Sequence, residues 1–138
     1  MSRQIFSILI LCVLFAGCTN NNPQRRLAVE GEVTLNGRPL AQGSISFDPS
    51  GTQEVKTQSG GEIKDGKYTI AAPQGLVPGE YTVRIRSMEE VPDSRKNTGN
   101  PMEDQPILKD IIPSEFGSQS VQKITVEKGK QNQFNFKM

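Results

Sequence analysis

The chain has 138 residues, 16 basic and 15 acidic side chains, 13 glycines and 9 prolines, with no histidine and no tryptophan. That length holds one domain at most, and a formal charge of +1 offers no field for a polyanion such as nucleic acid. Without histidine there is no serine–histidine triad, cysteine–histidine dyad or His-ligated zinc site, and with no tryptophan and two tyrosines stacking platforms for sugars are scarce.

Residues 1–18 hold 13 of the apolar side chains. Arg3 precedes an apolar stretch from Ile5 to Phe15, and the small residues Ala16 and Gly17 lead into Cys18. A basic start, an apolar middle and a small-residue end are the three parts of an export signal, and the stretch is short for a span of the bilayer. Phe15-Ala16-Gly17-Cys18 resembles the bacterial lipobox, with Phe15 where leucine is usual. The resemblance implies a diacylglyceryl thioether on Cys18 and cleavage just before it. The expected signal is 1–17, followed by lipidated Cys18 and a polar, aperiodic tether over 18–26. Cys12, preceded by the bulky Leu11, does not compete.

From Leu27 onward the apolar residues alternate. Leu27, Val29, Val33 and Leu35 share a face, as do Ile45 and Phe47, then Tyr81, Val83 and Ile85, then Ile124 and Val126, and finally Phe134, Phe136 and Met138. Period two with one wet face predicts antiparallel strands, placed near 27–35, 43–48, 53–58, 61–64 with 67–71, 79–87, 121–127 and 133–138. Asn36-Gly37 and Asp65-Gly66 supply hairpin turns and Gly129 divides the last two strands. The expected fold is all-β: an antiparallel two-layer sandwich of about seven strands over 27–138.

The series Gly31-Glu32-Val33-Thr34-Leu35-Asn36-Gly37-Arg38-Pro39-Leu40, with Gly43 to Phe47, Asp65 to Ile70 and Pro78 to Val83, resembles transthyretin-like, or carboxypeptidase regulatory-like, domains. Ile112-Pro113-Ser114-Glu115-Phe116 through Phe134-Asn135-Phe136 is similar to small bacterial lipoproteins built on that sandwich. The resemblance implies the fold, and fold does not imply function. The transthyretin-related hydrolases use histidines and a C-terminal Tyr-Arg-Gly-Ser motif, and this chain has neither.

Four patterns touch on chemistry. Gly61 to Lys67 has the spacing of a phosphate loop but continues with Tyr68 and reads as a hairpin. Ser120 and Lys123 have serine–lysine spacing, yet on a strand they face opposite ways. Glu30 and Glu32 share the wet face of an early strand, where solubility is the simplest role. Segment 88–110 carries Glu89, Glu90, Asp93, Glu103, Asp104 and Asp110 against Arg95, Lys96 and Lys109, a net −3. With Pro92, Pro101 and Pro106, it predicts a long acidic surface loop near 88–115, mobile rather than calcium-binding.

These readings assign no catalytic residue, cofactor or metal ligand, and one modification site, Cys18. They point to a non-enzymatic accessory of the bacterial cell envelope, anchored by lipid and contacting a protein or wall component. Thr19 rather than aspartate after Cys18 favours the outer membrane in a Gram-negative cell. A carbohydrate-binding module is the alternative; it needs exposed aromatics, and only Phe116 is expected to lie off the core faces. An enzyme is the third class, with no nucleophile–base pair to name.

Overall fold

The computed structural model describes residues 22–92, 94 and 97–138. The signal and Cys18, together with Asp93, Arg95 and Lys96, lie outside the described residues.

Among the described residues ten strands form in chain order: β1 Val29–Leu35, β2 Arg38–Pro39, β3 Gln42–Pro49, β4 Ser59–Lys64, β5 Lys67–Ile70, β6 Gly79–Arg86, β7 Met88–Glu90, β8 Leu108–Asp110, β9 Lys123–Val126 and β10 Phe136–Lys137. A 3₁₀ turn, Ala72–Gln74, is the only helical element among the described residues. The main sheet runs β10-β1-β5-β4-β3-β6-β9, with β2 also on β1, while β7 and β8 pair apart from it.

This sheet curls on itself into an all-β sandwich. Hairpin strands β4 and β5 share a single register pair, Lys64 opposite Lys67, so the sheet turns a corner there. On one side lie β10, β1 and β5; on the other lie β4, β3, β6 and β9. The rings of Phe47 on β3 and Tyr68 on β5 meet at 6.0 Å although those strands are not neighbours, so the inner faces pack together.

The alternating residues fill the interior as the pattern predicts. Val29, Val33, Ile45, Phe47, Tyr81, Val83 and Ile85 are all buried. Tyr68 donates its hydroxyl proton to the Phe134 carbonyl at 2.8 Å and Tyr81 to the Val77 carbonyl at 2.9 Å, so both buried phenols are satisfied. Gly31 is required by the first of these bonds: a Cβ there would lie 1.8 Å from the Phe134 oxygen and 2.8 Å from the Tyr68 hydroxyl. The hairpin residues adopt the positive φ their sequence predicts, Asn36 at 52° with Gly37 at 76°, and Asp65 at 49° with Gly66 at 74°.

Two expectations need correction. Residues 53–58 are not a strand; the strand is 59–64. The chain leaves the sheet at Gly51 because the Glu80 carbonyl takes the amides of Ser50 and Gly51 and the side-chain amide of Gln53. Secondly, β10 runs parallel to β1, with Val33 opposite Phe136. Antiparallel β9 descends along β6, and residues 127–133 then cross to the other layer, so the last strand climbs in the direction of β1. The described end of the tether, residues 22–26, makes a local turn: the Asn22 side chain accepts from Arg26 N and donates to Arg26 O, both at 2.7 Å.

Candidate functional site

The strand registers give the sandwich two distinct poles. At one, Leu27 bridges to Leu76, β1 begins opposite the end of β5, and β6 begins at Gly79. At the other, β6 ends at Arg86 beside the start of β3 at Gln42 and the β4–β5 turn. Eight residues of β6 separate the poles, about 25 Å at a strand's rise per residue. The N-terminal segment therefore joins the first pole, and the 88–110 excursion leaves from the second.

Ser87 is the hinge of that departure. It is buried, donates its hydroxyl to the Gln42 carbonyl at 2.7 Å, and accepts from Ile111 N at 3.0 Å where the chain returns. One Asp110 carboxylate oxygen accepts from Ile112 N at 3.0 Å, and Ile112 then re-enters the core. Between these points β7 and β8 form an antiparallel ribbon, with Met88 opposite Asp110, Glu89 opposite Lys109 and Glu90 opposite Leu108. Val91 N extends the ladder to the Ile107 carbonyl at 2.8 Å. The excursion expected as a mobile surface loop thus has a paired stem, and Ser87 and Asp110 hold its two ends together.

Its surface is unusually apolar. Met88, Met102, Ile107 and Leu108 are 49%, 87%, 62% and 55% exposed. Only Val55 and Val121 join them as exposed large hydrophobic side chains among the described residues. The alternating side chains of the sandwich pack inward, so these four residues stand out as apolar side chains left in water on one excursion. At the ribbon's foot lies an open groove of about 890 Å³, with Met88, Arg86 and Ser87 on one side and Glu62, Lys64 and Asp65 on the other. Glu62 and Lys64 pair at 2.8 Å, and the ammonium holds the Glu62 carboxyl below its ordinary value.

Two carboxylates of the excursion's head accept hydrogen bonds from within it. Asp104 accepts from Thr98 N and Thr98 Oγ1 at 2.8 Å each and from Gly99 N at 3.2 Å, and these bonds hold its carboxyl below the usual aspartate range. Glu103 accepts from the Asn100 side chain at 3.0 Å. No group of three potential metal-ligating side chains occurs among the described residues.

The other singled-out residues do not converge. Gly61 to Lys67 is the β4–β5 hairpin with its Asp65-Gly66 turn, not a loop opening a helix. Ser120 Oγ accepts from Gln122 N at 3.2 Å, whereas Lys123 pairs with Glu80 at 2.9 Å, so that serine and lysine have separate partners. Glu30 takes a bond from Gln131 at 3.2 Å, and Glu32 lies opposite Lys67 across β1 and β5. Phe116, expected to be free, packs against the core, so every aromatic residue from Phe47 to Phe136 contributes to the interior. Cys18 lies outside the described residues.

Sequence reasoning missed the apolar ribbon. The signal was present in Met88, Met102, Ile107 and Leu108, apolar residues inside an acidic, proline-rich segment that solvation alone does not call for. No protein-family model matches this chain, and no curated protein matches its sequence.

Proposed function

We propose that this chain is a lipid-anchored protein of the bacterial cell envelope, a non-enzymatic interaction module whose transthyretin-like sandwich holds the β7–β8 ribbon out to a protein partner. One observation carries the reading: four of the six exposed large hydrophobic side chains among the described residues lie in the 88–110 excursion, at the pole away from the N-terminal segment. Such a surface gains on contact with a partner and has no role inside its own sandwich.

The sequence from Arg3 to Cys18 supports the anchor. Cys18 is four residues before Asn22, so its lipid lies within about 14 Å of the Asn22–Arg26 turn, even fully extended. The first pole then rests near the membrane and the ribbon faces away from it. Stable attachment takes two or more acyl chains, each buried methylene adding ~0.8 kcal/mol.

Two measurements test the proposal. Cys18→Ser is expected to move the protein from the membrane fraction to the soluble one, and retention in the membrane overturns the anchor. A photoreactive side chain at Leu108 is expected to capture a discrete protein in intact cells, while the same group at Glu32, on the outer face of β1, does not. Equal capture at both positions overturns the interaction reading.

A further inference from the structure

We propose that the head of the ribbon is a preformed plug: Met102 enters an apolar socket on a protein partner, and Glu103 and Asp104 meet basic side chains at the socket's rim. This rests on the ribbon being the contact surface and names the chemistry of what it contacts.

The head is residues 98–105, and none of them is buried. Met102 is almost wholly exposed, and its neighbours from Thr98 to Gln105 are exposed or half-buried. Hydrogen bonds nevertheless tie it throughout. The Asp104 carboxylate gathers the amides of Thr98 and Gly99. The Asn100 carbonyl takes the amides of Glu103 and Asp104 at 2.9 and 3.0 Å, while its side-chain oxygen accepts from Met102 N at 3.1 Å. Gln105 closes the turn by donating to the Pro101 carbonyl at 3.0 Å. Solubility needs none of these bonds; a linker of acids and prolines is soluble without them. They fix the backbone on both sides of Met102 and leave its side chain in water.

A side chain presented on a fixed turn suits a partner pocket. Ordering on binding costs about 0.5–1.5 kcal/mol per immobilised side chain, and a preformed turn removes much of the backbone's share. Methionine is unbranched and polarisable, so it seats in sockets of varied shape. Interface anchors sit in a desolvated centre within a polar rim. Among the described residues of the head, 98–105, the charged side chains are the carboxylates Glu103 and Asp104, which follow Met102 directly in the chain. Complementarity therefore calls for lysine or arginine on the partner, and it disfavours both a second copy of the same head and an anionic lipid surface.

The test uses the full-length chain in intact cells, with the photoreactive group placed in turn at Met102, Leu108 and Glu32. Positions 102 and 108 are expected to capture the same protein, and the crosslink from 102 to map to an apolar pocket bordered by lysine or arginine. With that captured protein purified, Met102→Asp is expected to weaken binding by about 30-fold or more at unchanged Tm. Met102→Leu stays within about 3-fold, since the two side chains are close in volume. Glu103→Lys weakens binding and flattens its dependence on salt. Capture at 108 without capture at 102 overturns the plug and leaves the ribbon as the contact surface. So does Met102→Asp binding as tightly as the unaltered chain. Capture at 102 of only a second copy or of lipid likewise overturns it. Capture at neither position above Glu32 overturns the ribbon reading and the plug together.

Discussion

Ile85 and Met88 are three residues apart in the chain and similar in size and apolarity, yet one is fully buried and the other half in water. Ile85 belongs to β6, where β3 lies alongside and the opposite layer covers its inner face. Met88 belongs to a two-stranded ribbon that is paired separately from the main sheet among the described residues. Apolar composition alone does not bury a side chain; a second layer does. The sandwich and the ribbon thus use the same residue types differently: one buries them in its own core, and the other leaves them in water.

Substitutions that treat the two regions alike should give very different results. Phe47→Ala, which empties the centre of the sandwich, is expected to cost about 3–5 kcal/mol in chemical denaturation. Leu108→Ser on the ribbon is expected to change stability by less than about 0.5 kcal/mol. Equal losses would mean that the ribbon packs on the sandwich after all.

The next largest effect concerns the buried phenols. Burial pushes Tyr68 well above its ordinary value, with the nearby Glu30 charge acting in the same direction, and burial also raises Tyr81. A folded-state value above the unfolded one contributes stability that is complete below about pH 10 and lost as pH rises beyond it. Alkaline titration followed by circular dichroism should therefore show unfolding above about pH 10. Tyr68→Phe should blunt that response while costing about 1–3 kcal/mol near neutrality, because the Phe134 carbonyl loses its donor. An alkaline response unchanged in Tyr68→Phe would assign it elsewhere.

Ser87→Ala tests the joint between the two regions. Loss of its bond to the Gln42 carbonyl is expected to cost about 1 kcal/mol. Hydrogen exchange should quicken in Met88–Glu90 and Leu108–Asp110 more than in β6. Uniform quickening would show that ribbon and sandwich open as one unit.

The smallest effect is confined to the ribbon's head. Asp104 has a lowered folded-state value, held down first by the Thr98 amide. Its ordering contribution is present above the ordinary aspartate value near 3.9 and disappears as pH falls through the lowered one. Protease cutting between Thr98 and Gln105 should therefore stay slow at pH 4 and quicken only under stronger acid. Quickening already at pH 5 would exclude Asp104 as the group that ties the head.

Most of the sandwich could be read from local pattern because both of its rules are short-range. Alternation identifies a strand face within five or six residues, and Asn36-Gly37 and Asp65-Gly66 identify hairpins within two. Residues 53–58 misled because their irregular path follows from the Glu80 carbonyl, 22 or more residues further on. The ribbon misled for the same reason: Met88 pairs with Asp110 across an interval in which charge and proline suggest no structure. The Tyr68 bond to Phe134 spans 66 residues, and nothing near either residue foretells it.

Local sequence, then, was enough to establish most strands of the sandwich, its two tight hairpin turns and the inward-facing residues, since steric preference and period-two alternation act over a few neighbours. The direction of the last strand, the opposite placing of N-terminal segment and ribbon, and the exposure of Met88, Met102, Ile107 and Leu108 depend on how distant strands pair and which layer covers which. Burial is a property of packed layers, and a side chain's own chemistry does not say whether a second layer will cover it.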